Sequence, residues 1–176
     1  MRNTEMARTC ISAWLALWIG AAGAQDMYRP GADWQDDAGN RFRLESLYGR
    51  PTVITMAYGA CRRVCSTSLR MMERLQALAD ARGLDLNFVV VGLDPQADRP
   101  ADWAAYRAQQ HLVRANWRFL TGDEAAVRQL ARRLGLRYWR YGDHTMHDLR
   151  IVLLSEKAEP LRSIATFDAP LETLLP

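Results

Sequence analysis

The chain has 176 residues, 49% hydrophobic and 24% charged, with a formal net charge of +3. That is the composition of a globular protein, and the length fits one domain. The slight excess of positive charge is spread along the sequence, so it gives no footing for a nucleic-acid binder.

The N-terminus reads as a targeting segment. Arg2 and Arg8 make a short basic start, and the uncharged run CISAWLALWIGAAGA, Cys10 to Ala24, follows. It is shorter than the ~20 residues needed to span a bilayer. It ends in Ala22-Gly23-Ala24, the small residues that a signal peptidase reads. Residues 1–24 are therefore expected to be a cleaved export signal, with an uncleaved N-terminal anchor as the alternative. Cys10, after Ala-Arg-Thr, does not resemble a lipoprotein acylation site and would leave with the signal. The mature domain, 25–176, keeps 21 basic and 19 acidic residues once Arg2, Arg8 and Glu5 are removed from 23 and 20. Export would place its two cysteines in an oxidising compartment, where a free thiol needs a reason to stay reduced.

No repeat, low-complexity tract or Pro/Gly-rich linker divides the rest. Trp34 to Phe42 reads as a short hairpin turned by Asp-Ala-Gly-Asn. Leu44 to Tyr48 looks like a helical turn stopped by Gly49 and Pro51. Thr52 to Ala57, TVITMA, is continuously apolar and β-branched, as a strand buried on both faces should be. From Val64 the pattern becomes helical, with Leu69, Met72, Leu75, Leu78 and Ala79 on one face and Gly83 as the stop. Leu86 to Leu93 predicts a second buried strand, closed by Asp94-Pro95. A helix from about Pro100 to Gln110, a brief strand from Trp117 to Leu120 and a helix from Asp123 to about Leu134 follow. Asp148 to Leu154 predicts another strand, paired as a hairpin with Leu161 to Ala165. This order implies an α/β layer fold. Cysteines at the junction of the first core strand and its helix point to a thioredoxin-like fold with a central, mostly mixed sheet.

The chemistry centres on Tyr58-Gly59-Ala60-Cys61-Arg62-Arg63-Val64-Cys65. Thiols at i and i+4 of a helix have Cβ atoms roughly 5–6 Å apart. A relaxed disulfide wants about 3.5–4.5 Å, so a bridge would need Cys61 in the loop before the helix. A metal ion between the sulfurs tolerates the wider spacing. The helix N-terminus and Arg62-Arg63 favour thiolates, which serve a redox nucleophile and a metal ligand alike. Redox pair, structural bridge and half of a metal site all remain open on these residues.

Three histidines are available. His111 ends a helix and reads as a solvated residue. His144 and His147 lie in what reads as a loop, Gly142 to Asp148, just before the strand Arg150 to Leu154; either could face the cysteines. One imidazole with two thiolates is a soft donor set that suits copper, whereas zinc would want a fourth ligand. Met56, Met71 and Met72 read as packing residues, as do Trp103, Trp117 and Trp139. Asp94 is either a strand-end turn residue or a group that orients a ligand.

These elements resemble the Sco/SenC family of exported, thioredoxin-like copper proteins. The resemblance runs from about Trp34 to Ile164. It rests on the hairpin, Gly49-Arg50-Pro51, the aromatic-Gly-x-Cys-x-x-x-Cys element and Gly92-Leu93-Asp94-Pro95. Trp117 to Gly122 and a histidine followed by an apolar strand complete it. It implies that Cys61, Cys65 and one late histidine bind copper, Cu(I) or Cu(II). His147 matches the family spacing to the strand without a gap; His144, within Asp143-His144-Thr145, needs a three-residue insertion and is the alternative. The family commonly has proline after each cysteine, where this chain has Arg62 and Ser66.

The resemblance implies a metallochaperone that assists assembly of a copper site in a respiratory oxidase or other cuproenzyme, with that enzyme or its assembly factors as partner; the export signal places it in the periplasm, where a monomer is expected. The alternative location is membrane-anchored and facing the periplasm. The alternative activity is a thiol-disulfide oxidoreductase, with Cys61 attacking and Cys65 resolving. Against it, the strand entry opposite the thiols carries histidine where such reductases place a cis-proline. Tyr58, where a peroxiredoxin has threonine, argues against a peroxidase.

Overall fold

The computed structural model describes residues 27–28, 32–59 and 64–176, with backbone alone for 64–66. The expected signal, 1–24, lies outside the described residues. The first elements are a hairpin of β1 (Trp34–Asp36) and β2 (Arg41–Phe42) and a 3-10 turn, Leu44–Leu47. β3 (Thr52–Ala57), α1 (Val64–Ala81), β4 (Asn87–Gly92), α2 (Pro100–Gln109), β5 (Trp117–Gly122) and α3 (Glu124–Leu134) follow. The chain continues as β6 (Tyr138–Tyr141), β7 (His144–His147), β8 (Ile151–Leu154) and β9 (Pro160–Ile164), then a 3-10 turn, Leu171–Thr173.

Seven strands form one mixed sheet in the order β2-β1-β5-β4-β3-β8-β9. β3, β4 and β5 are parallel, joined through α1 and α2. β1 runs antiparallel to β5, and β8 antiparallel to β3. Every residue of β3 is buried, and β4 is buried from Phe88 onward. Their near-continuous apolar composition is what a parallel core covered on both faces demands. This is the expected thioredoxin-like arrangement.

The helices cover the sheet with the faces the sequence pattern predicts. α1 buries Leu69, Met71, Met72, Leu75 and Ala79, and α3 buries Val127, Leu130 and Leu134. α3 starts at Asp123, whose carboxylate accepts the Ala126 N–H at 2.7 Å, and ends on Gly135 at φ 68°. Phe88 and Trp117 stack at 5.3 Å with planes 8° apart, and Trp117 Nε1 donates to Gln76 Oε1 at 2.9 Å.

Two expectations change. The histidine segment, read as a loop from Gly142 to Asp148, belongs to a two-stranded antiparallel hairpin over 138–147, with Tyr138 opposite His147 and Tyr141 opposite His144. Its turn is Gly142-Asp143, with Gly142 at φ 59°. Two β-prone runs separated by a two-residue Gly-Asp turn are a hairpin signal. Consequently Trp139 is not a packing residue. It lies on the outer face of the hairpin and is 49% exposed, while Trp103 and Trp117 are buried as expected.

Candidate metal centre

The site lies at the carboxyl ends of β3 and β4, where ligands gather in sheets of this kind. Ala57 pairs with Gly92, and the Leu93 N–H donates to the Ala57 carbonyl at 2.9 Å. The chain leaving β3 through Tyr58-Gly59 therefore starts beside the Asp94-Pro95 turn. Cys61 lies outside the described residues, as does the side chain of Cys65, whose backbone belongs to α1. The frame around them is described in full.

Asp98 holds that frame, and sequence reasoning missed it. Its Oδ1 accepts the Gly59 N–H at 2.7 Å and its Oδ2 accepts the Asp94 N–H at 2.9 Å. Thr121 Oγ1 donates to the Asp98 carbonyl. One buried carboxyl thus joins the segment entering the thiol pair to the turn after β4. Burial, helped by the Asp94 charge, pushes its pKa up from 3.8 to about 7, against the backbone N–H groups of Asp94, Gly59 and Leu93, which favour the anion. Gly92 makes room for it: a Cβ there would lie 2.6 Å from Asp98 Cβ and 3.1 Å from Trp103 Nε1. A signal was available in Asp98-Arg99-Pro100, an acidic residue just before a helix that opens on proline, but its burial could not be read locally.

Asp94 is buried, and its carboxylate works in two directions. Oδ1 accepts the Gln96 and Ala97 N–H groups at 3.1 and 3.3 Å, closing the turn. Oδ2 faces Arg140 Nη1 at 3.4 Å and Thr145 Oγ1 at 3.5 Å. Arg140 and Thr145 are paired across the β6–β7 hairpin, so Asp94 fastens the hairpin to the end of β4. Beside this contact, Arg128 and Arg132 of α3 join Arg137 and Arg140 along a cleft of about 540 Å³.

The hairpin separates the two histidines. Side chains alternate along a strand, so Tyr138, Arg140, Thr145 and His147 share the inner face, and Trp139, Tyr141, His144 and Met146 the outer one. His147 is 9% exposed, whereas His144 is open to solvent. His147 Nδ1 lies 2.8 Å from the Asp148 carbonyl, which can only accept, so Nδ1 carries the proton and Nε2 the lone pair. Burial lowers the His147 pKa and so favours the neutral ring, opposed by the Asp148 carbonyl and carboxylate. A neutral, inward imidazole with its tautomer set by a backbone carbonyl is the form a soft metal ion takes. Among the described residues, no group of three or more His, Cys, Asp or Glu side chains could hold a metal by itself. A complete site around His147 would draw on the thiols of Cys61 and Cys65. His111 is exposed and stands apart, lining a small cavity near α1 with Leu112 and Trp117. Met56, Met71 and Met72 are buried core residues, as expected.

The sheet order and the helices that cover it define a thioredoxin-like protein, with an inward histidine on a late hairpin. The chain belongs to the SCO1/SenC family, whose model matches residues 26–174. It is 28% identical over 112 residues to the SCO1 protein homolog of Bacillus subtilis, covering 60% of this chain and 58% of that one. The matched segments thus span little more than half of such a relative's length. Among solved structures, BsSco, a member of the Sco family of cytochrome c oxidase assembly proteins in which a disulfide switch was identified, superposes with a TM-score of 0.72 at 22% identity. That match covers 83% of this chain and 87% of BsSco. Arabidopsis thaliana ScoI, solved with copper bound, gives 0.71 at 19% identity, covering 82% and 91%.

Proposed function

We propose that this chain is an exported copper-binding protein that assists assembly of a copper site in a respiratory oxidase or other cuproenzyme. The ion, its cargo, is held by the thiolates of Cys61 and Cys65 and by Nε2 of His147. Membership of the SCO1/SenC family and the copper-bound Arabidopsis relative support the ion. The observation that carries the choice of histidine is the inner-face position of His147 with Nδ1 committed to the Asp148 carbonyl. His144, the alternative, points the other way. Asp94 acts on this site through the hairpin: its bonds to Arg140 and Thr145 hold the face on which His147 sits. Removal of residues 1–24 as an export signal would place the domain in the periplasm.

A second reading uses the same sulfurs. The disulfide switch described for BsSco supports a thiol-disulfide exchange with a partner. In that reaction Cys61 thiolate attacks the partner disulfide and Cys65 resolves the mixed bond. Two electrons pass to the partner, two protons accompany them, and the chain ends as the disulfide. The oxidised form has lost both thiolates and with them the metal site, so the two readings exclude each other at any instant.

Anaerobic Cu(I) titration of the reduced protein tests the metal reading. Wild type should take up one tightly held equivalent. Cys61→Ser and His147→Ala should weaken that first equivalent by at least about tenfold to a hundredfold, while His144→Ala leaves it unchanged. Absence of a tight first equivalent in wild type would overturn the copper reading. Loss confined to His144→Ala would overturn the choice of histidine.

A further inference from the structure

The back of the hairpin carries donors that the inner site does not use. On β7, His144 and Met146 stand at i and i+2, both on the outer face. Alternate residues of a strand are about 6.5–7 Å apart along the chain, close enough for two side chains to converge on one ion. Directly across the hairpin, Trp139 pairs with Met146 and Tyr141 with His144. All four are exposed: Met146 by 41%, Trp139 by 49% and Tyr141 by 75%. A run of large apolar side chains turned to solvent on a four-residue strand pair calls for a role, since the inner face already supplies the packing.

We propose that His144, Met146 and Trp139 form a second, solvent-accessible site for a monovalent soft metal ion, Cu(I), on the hairpin face opposite His147. The imidazole and thioether are both neutral and soft, which suits Cu(I) and offers little to a divalent ion that seeks charged or oxygen ligands. Trp139 stands directly opposite Met146, where an indole π face attracts a bound cation. Its openness suits capture from, or release to, another molecule. His147 lies at the end of the same four-residue strand, on the opposite face. The proposal rests on the copper reading for the identity of the ion, but its donors do not include the thiols.

The test therefore removes the thiols. The Cys61→Ser/Cys65→Ser double variant is titrated with Ag(I), a redox-inert soft probe, and with Cu(I) under reducing conditions, following tryptophan fluorescence. Trp139 is the only exposed tryptophan among the described residues, so a quench that disappears in Trp139→Phe reports this site. One equivalent should bind. His144→Ala and Met146→Leu, each added to the double variant, should weaken it at least about tenfold; His147→Ala in the same background should not. Zn(II) should produce no such quench. No binding in the double variant, or binding indifferent to His144 and Met146, would overturn this site while leaving the inner one standing. Conversely, a wild type without a tight thiol-dependent equivalent, but with the quench intact in the double variant, would refute the copper function proposed above and retain this site.

Discussion

Replacing Asp98 by Asn should remove a defined part of the protein's pH-dependent stability. The Asp98 carboxyl has its pKa raised from 3.8 to about 7, with burial as the largest cause. The folded state therefore holds this proton more tightly than the unfolded chain does. Its contribution to stability is present in full below about pH 4, declines as pH rises, and is gone above about pH 7. At about 1.4 kcal/mol per pH unit, the loss between pH 5 and pH 8 comes to about 2–3 kcal/mol. Asn cannot titrate. Its single oxygen can keep one of the bonds to Gly59 and Asp94 N–H, while its NH2 faces the other donor. The variant should start about 1–3 kcal/mol less stable at pH 5, and the gap should close by pH 8. His147, whose lowered pKa makes stability rise with pH, titrates in both proteins and cancels from the difference. Urea denaturation at pH 5, 6.5 and 8 measures this directly, each kcal/mol moving the midpoint by about 0.3–1 M. Parallel pH profiles for the two proteins would refute the assignment.

Other substitutions probe the frame. Gly92→Ala would set a Cβ 2.6 Å from that of Asp98, and should destabilise by about 1–3 kcal/mol; a melting temperature equal to wild type would show that the contact relaxes freely. Arg107 pairs with Asp37 at 2.7 Å, bonds the Leu112 carbonyl at 2.9 Å and lies over the Phe119 ring. Arg107→Ala leaves Asp37 half-buried without that partner and should cost about 2–4 kcal/mol in urea melts. A loss under about 1 kcal/mol would make the pair a surface contact in energetic terms.

Much of this protein is written locally. Continuous apolar runs such as Thr52–Ala57 mark the core strands, the spacing of Leu69, Met72 and Leu75 marks α1, and Asp123 and Gly135 bound α3. These signals are legible because each is a backbone propensity or a periodicity within one segment. The thiol pair is equally plain as a motif, and so is its place at the end of the first core strand. What tertiary structure decided depends on neighbours distant in sequence. Whether His144 or His147 faces inward follows from the register of a hairpin docked on Asp94; shifting it by one residue would exchange the two faces. Asp98 becomes a latch only because Gly59, 39 residues earlier, and the Asp94 turn converge on it in a space Gly92 leaves open. Its shifted proton affinity is a property of that enclosure, since burial sets the cost of a charge and burial is fixed by the whole fold.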